Sequence, residues 1–156
     1  YSIALETTLP LQNYANETVT KFTGLFELED GNTKDTIVGT DGADTITGTS
    51  GAEVIIAGAG TDTITTGAGA DHIVLHAGFG STTLANANTV TDFTNGTDKF
   101  ALDGLTFAQL TVAADATTAA DTVISVTATS EYLMTITDVA YGYILADDFV
   151  LVADIA

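Results

Sequence analysis

The feature that most constrains this chain is a nine-residue period between residues 30 and 74. An acidic residue recurs at every ninth position, and an isoleucine follows each acid two places later. The acids are Asp35, Asp44, Glu53, Asp62 and Asp71, and the isoleucines are Ile37, Ile46, Ile55, Ile64 and Ile73. Repeats this short predict a solenoid, in which each unit buries its apolar side only against its neighbours.

Each frame divides into a glycine-rich turn and a short strand. The five frames are Asp30–Val38, Gly39–Thr47, Gly48–Ile56, Ala57–Thr65 and Thr66–Val74. From the acid onward the residues alternate polar and apolar, which is typical of a strand, and the glycines before it favour a turn. Two frames then complete one coil. We expect Ile37, Ile55 and Ile73 to stack in one sheet, and Ile46 and Ile64 in the other.

Charge indicates what holds such a coil together. The 156 residues include 21 acids, three lysines and no arginine, for a formal net charge of −18. Acids stacked about 4.8 Å apart along a solenoid repel one another unless cations lie among them. We expect the acids to face outward into the turns and to share Ca²⁺ in pairs: Asp35 with Glu53, Glu53 with Asp71, and Asp44 with Asp62. A metal-free solenoid held by hydrogen bonds is the alternative, but it requires no acid at a fixed position.

The glycine two places before each acid completes the predicted site. It is present as Gly42, Gly51, Gly60 and Gly69, whereas the first frame has Thr33. Calcium takes six to eight oxygens and accepts backbone carbonyls beside carboxylates. The glycine turns are therefore predicted to supply carbonyl oxygens to the same ions.

The frames resemble the RTX nonapeptide, Gly-Gly-x-Gly-x-Asp-x-apolar-x, of secreted bacterial proteases, lipases, toxins, adhesins and surface-layer proteins. The resemblance implies a right-handed parallel β-roll that binds calcium outside the cell. Its Gly-Gly opening survives only in part, and Glu53 replaces an aspartate. We therefore predict an all-β fold with the roll at residues 30–78, an N-terminal strand or assembly segment at 1–29, and an antiparallel β cap at 79–156.

The flanks carry further predictions. Upstream, alternation over residues 21–28 favours a strand with Phe22 and Phe26 on one face. Downstream, residues 90–100 resemble the Asp-Phe-x-x-Gly-x-Asp-Lys segment that follows RTX repeats, so Asp92 and Asp98 are either ligands of a terminal calcium site or turn residues. Residues 122–127 and 132–137 predict a hairpin. The end of the chain also resembles the export signal of RTX proteins.

Several classes of function are disfavoured. The chain has too few cationic side chains to bind nucleic acid or anionic lipid. No apolar run is long enough to insert in a membrane, and the chain has no cysteine to act as a nucleophile or metal ligand. His72 and His76 lie four residues apart, too far on a strand to share an ion, and are interpreted as a surface pair. Without a recognisable nucleophile, phosphate loop or cofactor motif, the chain is predicted not to be an enzyme.

Three functions fit a calcium-binding chain of this kind. The first is a secreted or cell-surface structural subunit that self-assembles into a homo-oligomer, filament, sheath or surface layer. The second is the C-terminal export and folding module of a larger secreted enzyme, toxin or adhesin. The third is a carbohydrate-binding or adhesion module, suggested by Tyr132, Tyr141 and Tyr143, although these tyrosines are expected in the core and hairpin. We favour the first.

Overall fold

A computed structural model describes residues 34–155. This part of the chain folds into short strands and 3₁₀ turns, and no α-helix occurs in it. The strands are β1 (Asp35–Val38), β2 (Thr45–Thr47), β3 (Glu53–Ile56), β4 (Thr63–Thr65), β5 (His72–His76), β6 (Asn88–Val90), β7 (Lys99–Asp103), β8 (Leu110–Ala114), β9 (Thr122–Val126), β10 (Glu131–Ile136) and β11 (Phe149–Leu151). The predicted N-terminal strand at residues 21–28 lies outside the described residues.

The strands form two sheets, and successive strands of the repeats belong alternately to one sheet and to the other. Sheet A has the order β1-β3-β5-β7-β11, and sheet B has the order β2-β4-β6-β10-β9-β8. Within the repeats all pairings are parallel and join residues 18 apart, such as Ile37 with Ile55 and Ile46 with Ile64. The predicted division of the isoleucines between two sheets, with two frames to a coil, is confirmed. The all-β roll is confirmed with it.

The core between the sheets changes in width along the roll. In the repeats it is a double stack of isoleucines, each at most 2 % exposed. Toward the C-terminal end the rings of Phe93 and Phe100 stack with centroids 4.7 Å apart, and Phe149 packs against Phe100 at 5.4 Å. Aromatic side chains fill the space only where the nine-residue period has ended, because the strictly repeated coil leaves room for one aliphatic side chain per strand.

The parallel sheets continue past the repeats. Strands β6 and β10 extend sheet B in parallel, and β7 and β11 extend sheet A in parallel. Antiparallel strand pairing involves β8, β9 and β10, where the expected hairpin is found as β9 and β10, and one isolated antiparallel bridge joins Ser81 to Tyr132. The cap is therefore a mixture: its antiparallel strands are as expected, but four strands after residue 78 belong to the roll's own parallel sheets. The domain boundary at residue 78 stays a prediction.

A 3₁₀ turn occurs at Ala146–Asp148, and Asp148 Oδ2 accepts the Leu145 amide proton at its beginning at 2.9 Å. The expectation for two tyrosines before this turn is wrong. Tyr141 and Tyr143 are 54 % and 65 % exposed instead of buried, because they lie in a 3₁₀ turn outside the strands. Within residues 34–155 no helix is long and apolar enough to cross a membrane.

Candidate calcium sites

The repeated acids form two columns, one beside each sheet, linked by hydrogen bonds from coil to coil. In the sheet A column, the amide of Glu53 donates to Asp71 Oδ1 at 2.8 Å, and Asp35 is the strand partner of Glu53. In the sheet B column, the amide of Asp44 donates to Asp62 Oδ1 at 3.0 Å. The structure thus brings together the three acid pairs that the period predicts.

Four of the five repeated acids are buried and Asp35 is half-buried, contrary to the expectation that the acids face outward. Asp62 and Asp71 are fully buried, and Asp44 and Glu53 are nearly so. Successive residues of a strand point to opposite faces, so an acid and the isoleucine two places later share the inward face. The acid at the beginning of each strand therefore lies at the edge of the core, next to the glycine turn.

Two of these carboxylates each keep one buried oxygen without a hydrogen-bond partner within the described residues, at Asp62 Oδ2 and Asp71 Oδ2. Burial raises the pKa of Asp62 to about 7, and the nearby charge of Asp44 adds to that effect. Burial likewise raises the pKa of Asp71 to about 6, with Asp98 and Glu53 adding repulsion. An unpaired carboxylate oxygen in such a place is costly without a cation.

The acids of the earlier coil are better satisfied by their own turns. Asp44 Oδ2 accepts the Thr40 amide proton at 2.6 Å, and Glu53 Oε2 accepts the Thr49 amide proton at 3.0 Å. The hydroxyl of each threonine also donates to the same carboxylate. The longer side chain of Glu53 consequently reaches the same contacts as an aspartate.

Glycine is required where one turn stacks on the next. Gly60 has φ +135°, and a Cβ there would lie 2.4 Å from the carbonyl oxygen of Gly42. Gly69 has φ +129°, and its Cβ would lie 2.0 Å from the carbonyl oxygen of Gly51. The predicted glycines are therefore paired by the fold. Carbonyl oxygens of one coil point toward the glycine turn of the next, beside the acid columns.

This arrangement fits calcium in the type of its donors. Among residues 34–155 no three Asp, Glu or His side chains converge on one point, so carboxylates alone would not complete an ion's shell. Two acids from successive coils, with carbonyl oxygens of stacked turns, supply the mixed oxygen set that Ca²⁺ prefers. Thiolate ligands are absent, since the chain has no cysteine.

Asp92 and Asp98 both contact the last turn of the repeats. Asp98 is buried and continues the sheet A column, accepting the Asp71 amide proton at 3.2 Å and the Thr94 amide proton at 2.8 Å. Asp92 accepts amide protons from Thr66 at 2.7 Å and from Gly67 at 2.9 Å. All four oxygens already have partners, so the geometry supports a hydrogen-bonded end to the roll, and a terminal calcium site stays a prediction.

Asn88 is a column residue that the period does not reveal. Its Oδ1 accepts the Asp62 amide proton at 2.8 Å, the contact that an acid makes elsewhere in the columns. It is 26 residues after Asp62, so no multiple of nine reaches it. The available signal was local: Asn88 to Thr91 reads Asn-Thr-Val-Thr, which matches Asp-Thr-Ile-Thr at 62–65.

The two histidines lie on the outward face of β5 and have separate partners. His72 Nδ1 is 2.9 Å from Lys34 Nζ, and burial together with the charges of Lys34 and Lys99 lowers the pKa of His72 to about 4. His76 Nε2 is 3.8 Å from a carboxylate oxygen of Asp103. Each ring therefore contacts a different charged side chain.

Comparison with known proteins agrees with this geometry. A model of the RTX calcium-binding nonapeptide repeat matches residues 30–60 and 47–81, about a third of the chain. A similar solved structure is the AlgE6R3 subunit of mannuronan C5-epimerase from Azotobacter vinelandii, with a TM-score of 0.61 and 21 % identity over 79 % of this chain and 76 % of that one. Curated protein sequences give no match. The repeat region of this chain is therefore a calcium-binding RTX β-roll.

Proposed function

We propose that Ca²⁺ binds between successive coils, held by Asp44 with Asp62 in one column and by Glu53 with Asp71 in the other. Carbonyl oxygens of the adjoining glycine turns, from Gly42 and Gly51 among others, complete each shell. The observation that carries this assignment is one buried oxygen on each of Asp62 and Asp71 that has no hydrogen-bond partner among the residues the structure describes. An ion at these points pairs each oxygen and neutralises the repulsion within its column.

Folding of the roll is coupled to these ions in the proposed function. Anything that binds only the folded chain stabilises it by mass action. The chain would therefore stay largely unfolded where calcium is scarce and fold at the millimolar calcium found outside cells. This supports a secreted or cell-surface protein with a structural, non-catalytic role.

Calcium titration followed by circular dichroism tests the coupling. We expect little β signal in chelator and a cooperative gain on adding calcium, while magnesium at the same concentration is far less effective because it demands octahedral geometry at shorter distances. An unchanged β spectrum in excess chelator would overturn the proposal. Metal analysis of the purified folded protein gives the number of ions independently.

Self-assembly is the second part of the proposal. Within residues 34–155, β1 ends sheet A and β2 ends sheet B with no further strand beside either. Both strands lie at the same end of the roll, and their outer edges have no strand partner among the described residues. Exposed strand edges are templates for pairing with another chain. We infer that copies join through this end into a calcium-dependent oligomer or filament.

Electron microscopy of the full chain with calcium and with chelator separates this role from its alternative. Polymers that appear only with calcium support a self-assembling structural subunit. Soluble monomers in calcium, with an intact β spectrum, favour the export and folding module of a larger secreted protein.

A further inference from the structure

The outward face of sheet B carries two straight columns of threonine. Each of four parallel strands contributes a Thr-x-Thr triplet whose central residue is Ile46, Ile64, Val90 or Ile136, all fully buried. Because side chains alternate along a strand, the two threonines of every triplet face away from the core. The first column is Thr45, Thr63, Thr89 and Thr135, and the second is Thr47, Thr65, Thr91 and Thr137.

The columns are in register across the sheet. Thr45 pairs with Thr63, Thr63 with Thr89, and Thr89 with Thr135. Neighbouring threonines are then about 4.8 Å apart along the roll and about 6.7 Å apart along each strand. The result is a two-by-four lattice of hydroxyl and methyl groups.

Hydrogen bonds order the second column. The hydroxyl oxygens of Thr65 and Thr91 are 2.9 Å apart, and the hydroxyl of Thr137 donates to the carbonyl oxygen of Thr91 at 3.4 Å. The first-column hydroxyls have no such partner among residues 34–155; Thr45 and Thr63 are exposed, and Thr89 and Thr135 are half-buried. Threonine is stiff at χ1, so both columns are largely fixed before any ligand arrives.

The lattice is not a by-product of the nine-residue repeat. Thr63 follows Thr45 by 18 residues, but the next two steps between paired threonines, from Thr63 to Thr89 and from Thr89 to Thr135, are 26 and 46 residues, and neither is a multiple of nine. The outward positions of sheet A offer a comparison within the same roll. There Val54 is paired with His72, and His72 with Lys99, so that face is chemically mixed.

We propose that this threonine lattice binds the surface of ice. A hydroxyl can stand in for a water molecule of an ordered layer, while the methyl beside it holds neighbouring water without competing for hydrogen bonds. The two spacings between threonines, about 4.8 Å along the roll and about 6.7 Å along each strand, are close to spacings between oxygen atoms in hexagonal ice. A charged side chain would instead keep its own hydration shell, and neither column contains one although the chain carries 21 acids.

The composition of the lattice argues against two other occupants. A glycan is usually gripped by an aromatic ring against the sugar face, and neither column contains an aromatic residue. A second copy of the chain would be expected to bury a large apolar patch, whereas this face presents a hydroxyl at every position.

The test uses the full chain, folded in calcium, and measures its partitioning into slowly growing polycrystalline ice and its inhibition of ice recrystallisation. We expect both activities for the wild-type chain. Thr63→Lys places a long charged side chain in the middle of the lattice and is expected to abolish both. The matched control is Thr111→Lys, at an exposed position on β8 of the same sheet but outside the lattice, which is expected to keep both.

Circular dichroism and calcium titration of the two variants confirm that each is folded, since both positions are solvent-facing. Three results would overturn the proposal: exclusion of the folded wild-type chain from ice, equal loss of activity in both variants, or an ice-inactive dimer that Thr63→Lys dissociates. The last result would identify the face as a contact between copies.

Discussion

Replacing Asp62 by asparagine is expected to stabilise the metal-free fold and to weaken its binding of calcium. Asparagine keeps the shape of the side chain and an oxygen that can accept the Asp44 amide proton, and the Asp44 nitrogen is 3.0 Å from Asp62 Oδ1 in the wild type. It removes the charge at Oδ2, which is buried and has no partner among the described residues. Without an ion this charge opposes folding. With an ion it becomes a ligand.

Each effect has an expected size. Burying an ionised carboxylate without a partner costs more than burying a neutral amide in its place, so Asp62→Asn should make the metal-free fold more stable near pH 8, by roughly 1–3 kcal/mol. Losing one carboxylate from a calcium shell is expected to weaken binding at least about tenfold, which corresponds to about 1.4 kcal/mol for each factor of ten. The variant should therefore fold more readily in chelator and, once folded, bind calcium more weakly.

Two titrations measure these effects. In chelator, the osmolyte trimethylamine N-oxide promotes folding of the metal-free chain, and circular dichroism should show that Asp62→Asn needs less of it than the wild type. With enough of the osmolyte to keep both chains folded, calorimetry should show calcium binding about tenfold weaker in the variant. Asp41→Asn is the control, because Asp41 is an exposed acid of the neighbouring turn and its loss changes the formal charge equally. If both variants respond alike, or if folded Asp62→Asn binds calcium as tightly as the wild type, the acid columns do not hold the ions.

Three further results are expected. The pKa of Asp62 is about 7 in the folded chain against its usual value of 3.8, so the metal-free fold loses stability as pH rises between them. With enough of the osmolyte to keep the metal-free chain folded, calorimetry in two buffers should detect proton release on calcium binding near pH 6 but little at pH 8.5. Ile55→Ala removes a fully buried side chain and should cost about 2–5 kcal/mol in chemical denaturation, while metal analysis of the folded variant finds the same number of ions. Gly78→Ala should cost ~1–2 kcal/mol, because Gly78 has positive φ but open space around it. Gly60→Ala should destabilise the fold well beyond that, and equal losses in the two variants would show that stacked turns tolerate a methyl group.

The repeats were readable because every part of the prediction depended on spacing. The period of nine set the strand and turn lengths, and the acid with its isoleucine two places on identified the residues that stack. The sheet membership of Ile37, Ile46 and Ile55 followed from two frames to a coil. The outward placement of the acids was wrong for a reason also present in the sequence, since a separation of two positions on a strand puts both side chains on one face.

Beyond residue 78 the sequence was less informative, because loops of unequal length separate strands that lie side by side. Sheet B places β6 next to β4 and β10 next to β6, although 26 and 46 residues separate the paired threonines. Asn88 entered its column, and the threonine lattice gained half of its members, through these long-range pairings. No fixed period marks such partners.

By itself, the sequence determined the coil, the buried isoleucine stack and the demand for a divalent ion, because identical neighbours at a constant spacing leave only one way to stack. The tertiary structure decided how the roll ends, which carboxylate oxygens stay unpaired and what the face of sheet B presents to solvent. Those features depend on contacts between segments that share no repeat, where packing and hydrogen bonding select the partners.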